Sequence, residues 1–178
     1  MPWANFDTEN ERETLSGPGV CMAMTCHWIR RVFESNRNGT IEGLSEAGQL
    51  RMLRHHVQHQ SQFESLSGGE ADDYIFAAYR LRGYRSEHRA TTKTLLAQIR
   101  SRGAGMYLFG ALGSGGGHAM GIAYLGGGRW VFFDPNVGQR CFGSEEAFVR
   151  HLVLEMKDYS DLRDTFEIYH VVPRLQGG

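Results

Sequence analysis

The sequence predicts an α+β domain in which a mainly helical half is followed by an antiparallel sheet. The chain has 178 residues, 41% of them hydrophobic, which suffices for one domain with a substantial core. Up to about residue 103, apolar residues recur three and four positions apart, a spacing typical of helices. Beyond it, short β-rich apolar segments are separated by glycine clusters, as in hairpins. Helices in one half and strands in the other indicate segregated layers.

Four helices are predicted in the first part of the chain. They span residues 20–34, 45–63, 70–82 and 92–102. The first follows a turn cluster at 16–19, and its apolar positions from Val20 to Phe33 predict a largely buried helix. Gly83 and Gly103 are expected to end the third and fourth helices, because glycine readily adopts the backbone conformation found after a helix C-terminus.

The second part of the chain is predicted to contain strands and one helix. Strands are expected at 106–112, 118–125, 129–133, 139–142 and 166–173. Eleven of the 23 glycines lie between residues 103 and 128, which indicates tight turns and a place where bare backbone is needed. Ser144 is expected to cap the helix that precedes the last strand.

The expected organisation is one domain preceded by a short polar segment. The polar segment covers residues 1–18, and the domain covers 19–178, with a helical part at about 19–103 and a sheet part at about 104–174. The N-terminal residues lack a basic stretch followed by an apolar one, so no Sec-type signal is predicted. We therefore expect the chain to fold in a reducing cytosol.

Charge and cysteine content exclude several classes of protein. Nineteen basic and 20 acidic side chains give a net charge of -1, which argues against binding nucleic acid or a membrane surface through bulk electrostatics. No apolar stretch approaches the roughly 20 residues of a membrane-spanning helix, so no membrane span is expected. The three cysteines are odd in number and lack CxxC spacing, which favours neither a disulfide framework nor a structural zinc site.

The second predicted helix carries several histidines on its polar side. His55 and His59 lie one helical turn apart, a spacing that two ligands of one metal ion can have. Because no cysteine or carboxylate ligand accompanies them, a solvated helix face is the better interpretation. No metal site and no cofactor site are predicted in this chain.

Cys21 is the candidate nucleophile. It follows a Gly-Pro-Gly turn at the expected first turn of a buried helix, where free N–H groups and the helix dipole favour a thiolate. The same N–H groups could donate to an oxyanion. Cys26, inside the helix, and Cys141, in a short strand, are interpreted as packing residues. Cys21 alone also fits a structural thiol, so its role depends on finding a partner.

His118 is the candidate general base and acid. It follows three glycines and begins a predicted strand, so its imidazole is expected at the edge of the sheet, with room for a substrate chain. A thiol nucleophile needs such an imidazole to accept its proton and to protonate the leaving group later.

Asp134 is the candidate group that orients His118. If the hairpin closes with Leu125 opposite Arg129, His118 lies opposite Asn136, and Asp134 lies diagonal to His118 on the same face. A carboxylate there would bind the second ring nitrogen and select the tautomer. Asn136 has the same parity along the strand and is the alternative orienting residue.

Three sequence motifs together resemble a known family. They are Gly-Val-Cys-Met-Ala-Met-Thr-Cys-His-Trp-Ile from Gly19, Gly-His-Ala-Met-Gly-Ile from Gly117 and Phe-Phe-Asp-Pro-Asn-Val-Gly from Phe132. In order and spacing, over nearly the whole domain, they resemble the YopT/AvrPphB-type bacterial effector cysteine proteases. The resemblance implies a papain-like fold, with the nucleophile helix packed on an antiparallel sheet, and a Cys21–His118–Asp134 triad.

The resemblance also implies a biological setting. A protein of this kind is a virulence effector or toxin, secreted by a bacterium through a non-Sec route, that cleaves a specific protein in the cytosol of a host or target cell. Its partner is that protein substrate, and the setting leaves room for a secretion chaperone or an immunity protein.

One element of the papain-like pattern does not transfer. Papain-like enzymes usually have an amide side chain five or six residues before the cysteine, and this chain has Ser16 and Leu15 there. The oxyanion would then depend on the Cys21 backbone N–H, or on a hydroxyl donor from Ser16. Two other interpretations therefore stay open: a glutamine deamidase or transglutaminase toxin with the same triad, and an interaction domain that has lost its chemistry.

Overall fold

A computed structural model describes residues 6–7, 20–38, 46–86, 91–113, 116–159 and 165–175 of the chain. The helices in these ranges are α1 (Cys21–Asn38), α2 (Glu46–Ser65), α3 (Gly68–Ala78), α4 (Thr92–Arg102) and α5 (Glu145–Asp158). The strands are β1 (Phe6–Asp7), β2 (Leu81–Arg85), β3 (Gly105–Gly113), β4 (Gly116–Tyr124), β5 (Trp130–Asp134), β6 (Gly138–Phe142) and β7 (Thr165–Pro173). Helices mainly precede strands, so the predicted α+β class is confirmed. None of the helices described is long and apolar enough to cross a membrane.

The strands of the described ranges form one antiparallel sheet in the order β1-β6-β5-β4-β3-β7-β2. Helices cover both of its faces, α1 and α3 on one and α4 and α5 on the other. Successive strand residues alternate between the two cores: Leu108 and Phe133 pack in the first, and Tyr107 and Phe132 in the second. Burial on both faces explains why these strands are continuous apolar runs.

Helix α1 is fixed to the sheet by aromatic and polar contacts. The Trp28 ring stacks on Phe133 with centroids 5.1 Å apart, and its Nε1–H donates to Gln139 Oε1 over 2.8 Å. One turn earlier, Thr25 Oγ1–H donates to the carbonyl oxygen of Ala119 on β4 over 3.0 Å. These contacts hold the first half of α1 against β4, β5 and β6.

The third predicted helix is wrong at its C-terminal end. Helix α3 ends at Ala78, and after a turn at Tyr79 and Arg80 the chain forms β2, which pairs with β7. Arg80 has a φ of 57°, a left-handed conformation that ends the helix. Gly83 therefore lies inside a strand instead of ending a helix, and the ring of Phe76 occupies the space where a β-carbon would project.

The register predicted for β4 and β5 is confirmed. Gly121 pairs with Phe133, which is the alignment obtained with Leu125 opposite Arg129. The loop closes with the Leu125 N–H donating to the Arg129 carbonyl over 3.0 Å. Gly126, Gly127 and Gly128 have φ values of 78°, 59° and 77°, which only glycine adopts at no steric cost.

The polar face of α2 is less solvated than predicted. His56 is fully buried, and its Nδ1 lies 2.7 Å from the Tyr79 hydroxyl. Its ring is 5.1 Å from that of His27 on α1, and the rings of His55 and His59 are 4.2 Å apart. We call His27, His55, His56 and His59 the histidine cluster. Within the described residues, no group of three or more His, Cys, Asp or Glu side chains is arranged to hold a metal ion.

The histidine cluster predicts a loss of stability in weak acid. Burial lowers the pKa of His27 to about 4, helped by Arg31 and Arg30 and opposed by Glu34, and lowers the pKa of His56 to about 3, helped by the other three histidines. Unfolded histidines titrate near 6.5, so below this pH the unfolded chain binds more protons than the folded one. The free energy of unfolding should therefore decrease as the pH is lowered from 6.5 to 5, by up to about 1.4 kcal/mol per pH unit for each of the two histidines.

Urea denaturation at pH 6.5, 5.8 and 5 measures this slope. A His56→Gln variant should be less stable at pH 6.5, because it loses the contact with Tyr79, but its stability should depend less steeply on pH. Equal slopes for the native chain and the variant would show that His56 does not titrate as described.

Candidate active site

Cys21 is the first residue of α1 and is only partly buried. The first N–H groups of a helix have no partner inside the helix, so this end carries a partial positive charge. The Cys21 Sγ lies 4.0 Å from the carbonyl oxygen of Gly117, the residue on β4 that precedes His118, and the interaction of Cys21 with His118 acts to raise the pKa of the imidazole. The side chain of Cys21 therefore faces the beginning of β4.

His118 and Asp134 form a buried pair. His118 Nε2 lies 2.8 Å from Asp134 Oδ1, and the two side chains are 7% and 0% exposed. Because Nε2 is bound to Asp134, Nδ1 is the nitrogen left to face Cys21. His118 pairs with Ala111 on β3, and β4 is a central strand of the sheet. The pairing of β4 with β5 begins only at Gly121, so on that side the strand is unpaired at His118 and forms a local edge, as expected.

Asp134 accepts hydrogen bonds on both of its oxygens. The Asn136 backbone N–H donates to Oδ1 over 2.8 Å, and the Tyr159 hydroxyl donates to Oδ2 over 2.8 Å. The Tyr159 ring also stacks on the His118 ring, with centroids 4.6 Å apart and planes 17° apart. Tyr159, which directly follows α5, thus binds Asp134 and covers the imidazole ring of His118.

Asn136, the alternative orienting residue, has a different part in this arrangement. Its side-chain Nδ2–H donates to the Tyr159 hydroxyl over 2.9 Å, while its backbone N–H binds Asp134. Asn136 thus supports the residues around His118, and Asp134 is the residue bound to the imidazole.

The electrostatics of the pair favour a charged imidazole. Burial lowers the pKa of His118, but its interactions with Asp134 and Cys21 raise it to about 9. Burial also acts to raise the pKa of the Asp134 carboxyl, yet the bonds from His118, Asn136 and Tyr159 keep it below its ordinary value. The charged forms of His118 and Asp134 therefore stabilise each other.

The other two cysteines lie in different surroundings. Cys26 is completely buried in the core between α1 and the sheet, and burial raises its pKa. Cys141 is half-buried on β6 beside Gln139, and burial raises its pKa as well. Both thiols are thereby biased toward the neutral form, as expected of packing residues.

Three residues near the site were not found from the sequence. Glu155 on α5 and Tyr159, which directly follows this helix, both interact with Asp134. Gln60 on α2 accepts a hydrogen bond from the backbone N–H of Ala23 over 3.2 Å. Two features could have suggested them: the i,i+4 spacing of Glu155 and Tyr159, and the placement of Gln60 on a helix face rich in polar residues. Ser16 and Leu15, at the expected oxyanion positions, lie outside the described residues.

The fold is that of a papain-like cysteine protease domain, with a cysteine-bearing helix packed on an antiparallel sheet. A family model described as Yersinia/Haemophilus virulence surface antigen, Peptidase_C58, matches residues 3–172. The chain belongs to this family, the YopT/AvrPphB family, so the resemblance seen in its motifs is confirmed. Family and fold together define a bacterial effector cysteine protease-like domain. No curated protein matches the sequence.

Two solved structures share the fold. The Pseudomonas avirulence protein AvrPphB is similar with a TM-score of 0.61 and 14% identity, over 96% of this chain and 97% of that chain. PatoxP, a cysteine protease-like domain of the Photorhabdus asymbiotica toxin PaTox, is similar with a TM-score of 0.55 and 13% identity, over 94% of this chain and 53% of that chain. At these identities the likeness concerns the fold.

Proposed function

We propose that the protein is a thiol protease in which Cys21 is the nucleophile, His118 the general base and acid, and Asp134 the group that orients His118. The observation that carries the proposal is the 2.8 Å contact of His118 Nε2 with Asp134, which leaves the other ring nitrogen for Cys21 at the start of α1. The family, whose members act on proteins, supports a peptide bond as the target.

The first half of the reaction forms an acyl-enzyme. The Cys21 sulfur, as a thiolate paired with the His118 imidazolium, attacks the peptide carbonyl carbon and a C–S bond forms. The carbonyl electrons move to oxygen, where the backbone N–H of Cys21 at the helix N-terminus stabilises the negative charge. His118 Nδ1–H then protonates the leaving amine as the C–N bond breaks, and a thioester remains.

The second half regenerates the site. His118, now neutral, accepts a proton from a water molecule, and the resulting hydroxide attacks the thioester carbonyl. The C–S bond breaks, the acid product leaves, and the thiolate is again paired with an imidazolium. Asp134 keeps its charge throughout and holds the ring with Nε2 toward itself, so that Nδ1 always faces Cys21.

The setting in which the protein acts is part of the proposal. We propose a virulence effector or toxin that is secreted by a bacterium through a non-Sec route and cleaves a protein in the cytosol of a host or target cell. The similar structures are those of an avirulence protein and of a toxin domain, which supports this setting. A secretion chaperone or an immunity protein would be an additional partner.

The domain organisation is proposed on the same basis. Residues 19–178 carry all three proposed catalytic residues and both cores, so we propose that they are the catalytic domain. Phe6–Asp7 of the segment at 1–18 adds a short edge strand by pairing with Gly138 and Gln139.

Analysis of the products tests the proposed reaction. Target-cell extract is incubated with the native chain or with Cys21→Ala, and new protein N-termini and side-chain masses are measured by mass spectrometry. A protease creates new N-termini that are absent with the variant. Glutamine deamidation would add about one dalton per site without breaking a chain. Deamidation or cross-linking without new N-termini would replace the proposal, and no difference from Cys21→Ala would favour an inert interaction domain.

A further inference from the structure

The C-terminal end of α5 brings two side chains to the buried face of Asp134. Glu155 and Tyr159 are four residues apart and lie on one side of this end. Tyr159 donates to Asp134 Oδ2 over 2.8 Å, and the Glu155 carboxyl interacts with the same carboxylate. Glu155 is 8% exposed, although glutamate is rarely buried without a cationic partner. Its burial against a second carboxylate therefore requires an explanation.

The surroundings of Glu155 disfavour its charged form. Asp134 on β5 and Asp158 on α5 both raise the pKa of Glu155, and Arg140 on β6 opposes them. His151, one turn earlier on α5, lies 3.6 Å from the Glu155 carboxyl, but burial lowers the pKa of His151, so it is neutral at pH 7. Burial and the Asp134 charge accordingly raise the pKa of Glu155 to about 7.

The proton of this carboxylate pair belongs on Glu155. Asp134 is bound by His118, by the Asn136 backbone N–H and by the Tyr159 hydroxyl, all of which stabilise its charge. Two adjacent buried carboxylates cannot both ionise without strong repulsion. Glu155 is therefore the neutral member of the pair, and a neutral carboxyl has one O–H that it can donate to Asp134.

We propose that Glu155 is a positioning residue which, as a neutral acid, donates a hydrogen bond to Asp134 and keeps this carboxylate aligned with His118, and that its ionisation releases this alignment. The inference rests on the proposed function for its catalytic meaning. Ionised Glu155 would place a second negative charge beside Asp134 and remove the O–H donor. The His118–Asp134 bond would then loosen as the pH rises through about 7.

The His118 Nε2–H proton reports this alignment in NMR spectra of the full chain. Its resonance is assigned by its loss in His118→Asn. In the native chain we expect a slowly exchanging proton at pH 6 that exchanges faster as the pH rises from 6.5 to 8. Glu155→Gln keeps an N–H donor but cannot ionise, so its proton should stay protected over this range. Glu155→Ala should leave the proton poorly protected at every pH.

Glu146→Gln is the matched control, because Glu146 lies on the same helix, is 83% exposed and pairs with Arg150. It should behave as the native chain does. The same pH dependence in the native chain and in Glu155→Gln would overturn the inference. Glu155→Gln decides the question even if Glu155→Ala does not fold. The measurement needs no substrate, so a chain that hydrolyses nothing would refute the proposed function and leave this result intact.

Discussion

Replacing Cys21 by Ala is expected to abolish hydrolysis, with a fall in kcat of about 10⁴ to 10⁶-fold. The acyl-enzyme forms only on the Cys21 sulfur, and losses of this size follow the removal of a nucleophile from a catalytic triad. The rate is measured as the appearance of a new N-terminus on a target protein. Because Cys21 is only partly buried at the start of α1, the variant should fold as the native chain does.

Cys141→Ala is the matched control. Cys141 is also partly buried, but it lies on β6, where its sulfur accepts a weak hydrogen bond from Gln139. The rate of hydrolysis by this variant should stay within about twofold of that of the native chain. The change removes no group that takes part in the reaction, and shortening a partly exposed side chain has little effect on the structure. If hydrolysis survived in Cys21→Ala but disappeared in Cys141→Ala, the nucleophile would be Cys141 and the proposed role of Cys21 would be wrong.

Replacing Asp134 by Asn is the second large effect. The amide is nearly isosteric but uncharged, and its NH₂ group can face His118, which favours the wrong tautomer. A loss of about 10⁴-fold in kcat follows this exchange in a comparable triad. The pKa of His118 should also fall from about 9 toward its ordinary value, because the Asp134 bond and charge raise it. An NMR titration of the His118 ring measures the second effect without a substrate.

Asn136→Ala separates the two candidate orienting residues. This change keeps the backbone N–H that binds Asp134 and removes only the side-chain bond to Tyr159. One such bond contributes about 1 kcal/mol, so the rate should fall by roughly fivefold. If Asn136→Ala lowered the catalytic rate more than Asp134→Asn does, Asn136 would be the orienting residue.

The parts of the fold that depend on local signals could be predicted from the sequence. Helix α4 has the predicted bounds and ends at Gly103, whose φ is 85°. The β4–β5 register follows from a loop of three glycines. Strand β2 could not be predicted, because its apolar residues continue the helical spacing of α3, and its identity as a strand depends on pairing with the distant β7.

The same distinction holds for the candidate site. His118 and Asp134 lie on adjacent strands joined by one hairpin, so parity along the strands places them on one face. Tyr159 and Glu155 contact Asp134 only because α5 packs on the face of the sheet opposite α1. His56 is buried because α2 packs beside α1, and neither packing angle is encoded in a short sequence window.

The most direct test of the central claim is the reactivity of the three thiols. Each cysteine is alkylated with iodoacetamide at pH 6, and its rate is followed by peptide mass spectrometry. An ordinary thiol with a pKa near 8.5 is only about 0.3% thiolate at this pH. A thiolate paired with the His118 imidazolium predicts that Cys21 reacts on the order of 100-fold faster than Cys141, and that His118→Ala removes this difference. Equal rates for Cys21 and Cys141 in the native chain would contradict the account.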